Sequence, residues 1–245
     1  MKRMIAALAA LAIVAAAGLP VGPAAAGAAS AGIAAPEGTP ELSRKARSAL
    51  ERLTGRGNDG RVVVVRWHDT LATPAELTGS IGRPTGHSPV WIAYAFLEET
   101  KELYGLSKPS RDMRVAEVRP LEGGGAEVSF RHMLYGRPVW GDELVVRVER
   151  DGVISRVAGT VHPRLERRTF HRRVQAALSE SEAGTIAATF ADALGVPVGR
   201  AYVSLGYDPT RAGVPLVYAV TFETAASGGK PAVVLVHAMT GRVIP

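Results

Sequence analysis

Twice along this chain, apolar residues at helical spacing are followed by stretches that alternate apolar and polar. Leu42, Ala46, Ala49, Leu50 and Leu53 recur every three or four positions, and Ile92, Ala93, Phe96, Leu97, Leu103 and Tyr104 do so again. From Met113 the period falls to two: Ala126, Val128, Phe130, His132 and Leu134 share one strand face, and Leu144, Val146 and Val148 another. Ala183, Ile186, Ala187, Phe190 and Leu194 then return to helical spacing, and Leu216, Tyr218, Val220 and Phe222 to strict alternation. Helix followed by hairpin-linked strands restricts the fold to α+β. The repetition predicts two small domains, each a helix packed on an antiparallel sheet.

Local punctuation sets the expected boundaries. Thr39-Pro40 and Ser88-Pro89 each supply an N-cap followed by proline at the first helical position. The helices they open stop at Gly55 and Gly105. Ser179 and Glu182 have capping-box spacing, and Gly195 ends that helix. Asp151-Gly152 is a hairpin turn. Strands are expected at 61–67, 114–120, 126–134, 144–149, 153–161, 201–207, 216–223 and 231–237. Residues 69–87 read as an irregular excursion, and Tyr135 to Asp142 as a turn containing Gly-Arg-Pro. Gly55, Gly57 and Gly60 spell G-x-G-x-x-G, but a helix precedes them and a strand follows. A dinucleotide fingerprint needs the reverse order, so this is a connector.

The chain's start has the marks of an export signal: Lys2 and Arg3, an uncharged apolar run from Ile5 to Leu19, then Ala24-Ala25-Ala26 before Gly27. The expected order is a signal peptide at 1–26, a flexible Ala/Gly/Ser/Pro leader at 27–38, a first domain at 39–161, a basic linker at 162–176 and a second domain at 177–245. A secreted or envelope location follows. The absence of cysteine from all 245 residues excludes disulfides, thiol catalysis and zinc–thiolate sites. The net charge of +6 permits contact with acidic wall polymers or lipid headgroups. No nucleic-acid motif accompanies it, so no nucleic-acid partner is expected.

No reactive constellation emerges, and neither catalysis nor a cofactor is expected. H-E-x-x-H is absent, and no two of the six histidines stand at i, i+4. No metal site is expected: His162 and His171 sit among arginines, and His132 reads as a hydrogen-bonded core residue. Asp142 and Glu143 are adjacent, so in a strand they point to opposite faces. Trp140, in the expected turn, either anchors a partner or folds over the sheet edge; Trp67 and Trp91 read as core. Arg164, Arg167, Arg168, Arg172 and Arg173 form either a solvated linker or a polyanion contact.

Certain words in this order carry a resemblance. Tyr135-Gly136-Arg137-Pro138-Val139-Trp140-Gly141-Asp142-Glu143, then Asp151-Gly152-Val153-Ile154 and Val157-Ala158-Gly159, resemble the propeptide domain of fungalysin/thermolysin-type metalloproteases. Leu178 to Val243, with Ser181-Glu182-Ala183, Leu216-Val217-Tyr218-Ala219-Val220 and Met239-Thr240-Gly241-Arg242-Val243, resembles a PepSY domain. His132 stands where that family often has Gln, and His237 where it usually has Asp. The resemblance implies cystatin-like domains and a non-catalytic, propeptide-like protein without the protease domain. Its partner would be a thermolysin-like metalloprotease, which it would inhibit or help to fold. Arg137, Pro138, Trp140, Gly241, Arg242 and Pro245 are the partner-contact candidates, with Gly241 to Pro245 directed toward the active-site cleft. An envelope protein that binds acidic wall polymer or peptide, and a remnant of a protease precursor, are the alternative readings.

Overall fold

The computed structural model describes residues 41–54, 63–196, 199–223 and 232–244. The expected signal and leader, the Thr39-Pro40 cap, the Gly55–Gly60 connector and Pro245 lie outside these residues. The described elements belong to one compact body.

Helix α1 (Arg44–Thr54) leads to strands β1 (Val63–Trp67) and β2 (Pro74–Ile81). Residues 41–43 are not helical; the Ser43 hydroxyl accepts the Ala46 N–H at 3.2 Å and opens the helix, later than expected. Strand β2 corrects the irregular excursion. Its opening proline and internal Gly79 hide the alternation, but antiparallel neighbours on both sides, β1 and β6 (Ile154–Thr160), complete its ladder. Helix α2 (Pro89–Tyr104) is capped as expected: the Ser88 hydroxyl accepts from Trp91 N–H, and Gly105 closes it in the left-handed region. A short α3 (Pro109–Asp112) precedes strands β3 (Met113–Pro120), β4 (Ala126–Leu134) and β5 (Arg137–Val148). After β6 come α4 (Leu165–Arg168), α5 (Glu180–Ala193), β7 (Ala201–Tyr207), β8 (Leu216–Phe222), β9 (Ala232–His237) and the short β10 (Val243–Ile244).

The structure is mixed α/β, and its ten strands form one hydrogen-bonded array. The order is β1-β2-β6-β5-β7-β8-β9-β10, with β4 and β3 continuing from β5. The two expected sheets meet through one parallel pairing, Val139 with Tyr207. Backbone approaches backbone there: a Cβ on Gly206 would lie 2.5 Å from the Pro138 carbonyl oxygen.

Two apolar cores result. The first gathers Leu77, Phe96, Leu97, Phe130, Val146 and Val157 between α1, α2 and the sheet. The second lies under α5, whose buried face is Ala183, Ala187 and Ala191. That corrects the expected stripe, because Phe190 and Leu194 are exposed; the small alanines let the helix sit close to β8. This second core also takes in Leu134, Val139 and Leu165, residues that precede α5. Trp67 packs half-buried on the first core. Trp91, expected inside, is 53% exposed and stacks on His87, with centroids 3.9 Å apart.

Candidate functional site

The Tyr135–Glu143 word is mostly strand. Only Tyr135-Gly136 turns, and β5 begins at Arg137. Pro138 lacks an N–H and so imitates a breaker. The ladder between β4 and β5 then skips: Met133 pairs with Pro138 and Arg131 with Glu143, so Val139 to Asp142 face only His132. This is a bulge larger than the usual two residues against one. Gly141, at φ 75°, supplies the left-handed residue it needs. The bulge does two things. It presents Val139 to β7, and it carries Asp142 inward.

The Asp142 side chain is fully buried between two imidazoles. His132 Nδ1 lies 2.7 Å from one carboxylate oxygen and His162 Nδ1 2.6 Å from the other. The His162 backbone N–H donates to the first oxygen at 2.8 Å. An ionised carboxylate can only accept, so both rings carry their proton on Nδ1. Burial alone would push the Asp142 carboxyl up. The hydrogen bonds from His132 and His162 outweigh it and hold the group below its ordinary value. His132 is buried and hydrogen-bonded, as its place on an apolar strand face predicts, but its partners are not among the residues expected beside it. The signal was present: continuing the antiparallel register of Phe130 with Leu144 sets His132 opposite Asp142. Reading 135–142 as a turn broke that extension.

The segment after β6 is stitched to both halves. Arg164 N–H donates to the Gly105 carbonyl, and Leu165 is buried in the second core. Arg111 bridges Asp112 and Glu166 at 2.8 and 2.9 Å. The Thr169 hydroxyl meets the Tyr135 hydroxyl at 3.0 Å, and the Tyr135 ring packs edge-on against Tyr207. A cleft of about 590 Å³ opens beside this seam, lined by His132, Leu134, Ser107, Arg164, Arg167 and His171 among others.

The partner-contact candidates are split. Arg137, Pro138 and Trp140 are half-buried in β5. The Trp140 indole nitrogen is buried and has no hydrogen-bond partner among the described residues. Gly241 and Arg242 lie in the turn from β9 to β10, four strand steps from β5 in the array, or roughly 19 Å at the usual strand spacing. In that turn His237 does the work of an aspartate: its Nδ1 accepts the Met239 N–H at 3.3 Å and faces the Thr240 hydroxyl at 3.2 Å. The arginines at 164, 167, 172 and 173 are exposed, and Arg168 donates to the Arg211 carbonyl.

Chemically, the Asp142 cluster fixes structure, tying β4, β5 and the segment after β6 through one carboxylate. Among the described residues no group of three or more His, Asp or Glu is placed to hold a metal ion.

No protein-family model matches the chain. Over 122 residues, 49% of its length, it is 30% identical to the thermolysins of Alicyclobacillus acidocaldarius subsp. acidocaldarius and Bacillus caldolyticus. It is 26% identical to bacillolysin of Bacillus cereus over 106 residues, 42% of its length. These matches cover 22% of each thermolysin and 19% of the bacillolysin, so the chain spans about a fifth of the curated relatives it matches. The chain therefore carries a region related to part of the thermolysin-type metalloproteases.

Proposed function

We propose that this chain is an exported, non-catalytic propeptide-like protein that binds a thermolysin-like metalloprotease and assists its folding or restrains its activity. The observation that carries the reading is the similarity over about half the chain to thermolysins, in a sequence that has no H-E-x-x-H. A zinc protease of that kind mounts its metal on those two histidines, and the region shared here does not include that motif. The helix-on-sheet halves would correspond to cystatin-like propeptide and PepSY units.

The physical means is a preformed surface. The bulge in β5 and the stitched segment after β6 fix the relation of the two halves, so little ordering remains to oppose docking. A ligand selective for the folded enzyme stabilises it by mass action, by about 2.7 kcal/mol at a hundred times its Kd. Arg137, Pro138 and Trp140 offer one contact strip; Gly241 and Arg242 offer a second, directed toward the active-site cleft.

The test adds the purified chain to a denatured thermolysin-like protease from the same organism, and separately to the active enzyme. A higher refolding yield or a lower residual activity is expected, weakened by Trp140→Ala. No change in either at micromolar excess would discard the reading, as would peptide hydrolysis by the chain alone.

A further inference from the structure

The turn after β6 concentrates charge that nothing around it balances. Arg164, Arg167, Arg172 and Arg173 are exposed within ten residues, and Arg168 lies half-buried among them. None of the five has a carboxylate within ion-pair distance among the described residues, whereas Arg66, Arg111, Arg119, Arg147 and Arg156 are all paired. Glu166, the one acid in the segment, is taken by Arg111. Unbalanced guanidiniums on a compact turn make a local positive field that favours an anion.

The second observation is apolar. Phe170 is 79% exposed in the middle of these arginines, and Val174 is 37% exposed four residues on. Phe170 and His171 both adopt left-handed backbone, at φ 53° and 56°, which residues with a Cβ ordinarily avoid. The scaffold that holds them there is specific. His171 N–H donates to the Glu166 carbonyl at 2.8 Å and Thr169 N–H to the Leu165 carbonyl at 3.0 Å. The Thr169 hydroxyl is engaged by the Glu166 carbonyl and the Tyr135 hydroxyl. The ring is thus kept out of both cores by a rigid turn.

A soluble polyanion without aromatic bases, such as a wall polymer, needs only the cations, and a large exposed aromatic adds little to its binding. An anionic membrane surface uses both: phosphates meet the guanidiniums, and the ring enters the apolar boundary beneath the headgroups. We infer that the Arg164–Val174 turn docks this protein on an anionic lipid bilayer, with the arginines on headgroup phosphates and Phe170 inserted between them. One aromatic and a handful of cations give peripheral, salt-reversible attachment rather than permanent anchoring. The inference is independent of the protease reading.

The test uses residues 38–245, the compact body that holds every described element and both cores, so that the apolar N-terminal run contributes no binding. Co-sedimentation is measured with phosphatidylcholine vesicles, with and without phosphatidylglycerol, across salt concentrations. A soluble poly(glycerol phosphate) chain is the second ligand. The expected result is binding to the anionic vesicles alone, loss at high salt, and weakening of about fivefold for each of Arg167, Arg172 and Arg173 changed to Ser. Phe170→Ser should weaken vesicle binding and leave the slope against salt unchanged. These side chains are exposed, so circular dichroism should show all variants folded. Absence of binding to anionic vesicles at low salt would overturn the inference. So would equal binding to neutral vesicles, or retention on the soluble polyanion with no effect of Phe170→Ser on either ligand.

Discussion

Replacing Asp142 with Ala removes the one acceptor shared by His132 Nδ1, His162 Nδ1 and the His162 backbone N–H. Each hydrogen bond to a charged group contributes about 1.5–3 kcal/mol net, but three on one carboxylate do not add, since its loss also removes its own desolvation. Leaving a buried donor without its acceptor costs about 1–3 kcal/mol. We expect that range, with most of the loss at His132: its ring is buried, whereas His162 is less enclosed and can turn to water. Such a loss is a large share of the roughly 5–15 kcal/mol that holds a domain folded. Asp142→Asn keeps one acceptor oxygen and should cost about 1–2 kcal/mol. Because the folded Asp142 carboxyl is held below its ordinary value, the unfolded chain binds more protons through the carboxylate range, and stability rises with pH there. The contribution is complete above the unfolded value and disappears as pH falls through the folded one. Urea unfolding followed by circular dichroism, at neutral pH and stepwise into acid, measures both effects. A cost below about 1 kcal/mol for Asp142→Ala, or an acid limb unchanged in Asp142→Asn, would refute the reasoning.

Three further outcomes follow from single contacts. Gly206→Ala should cost about 1–3 kcal/mol by overpacking, since its Cβ would meet the Pro138 carbonyl oxygen; amide exchange should quicken at Tyr207 before it does in the first core. His237→Asp should leave stability unchanged or raise it by up to about 1 kcal/mol, because a carboxylate is a stronger acceptor for the Met239 N–H and the Thr240 hydroxyl; thermal unfolding reads this. Ser179→Ala should cost about 1 kcal/mol by removing the acceptor of the Glu182 N–H, seen as a lower urea midpoint with unchanged slope.

What the sequence determined by itself is the local part. Ser88 and Gly105 bound α2, Ser179 and Glu182 open α5, and Asp151-Gly152 turns β5 into β6, because caps and turns are settled by residues a few positions apart. Alternation placed β4, whose Ala126, Val128 and Phe130 face is buried, and β8, which is covered on both faces. Tertiary structure decided the rest. Strand β2 does alternate, with Ala75, Leu77 and Ile81 buried against Glu76, Thr78 and Ser80, but Pro74 and Gly79 mask the signal and its two neighbours settle it. The pairing of Val139 with Tyr207, and the meeting of His132, Asp142 and His162, join residues ten to nearly seventy positions apart. Only a bulge that feeds two sheets at once brings them together. Periodicity reports which face of a segment is apolar; it does not report which edge finds which partner, and the seam that defines this molecule is made of edges.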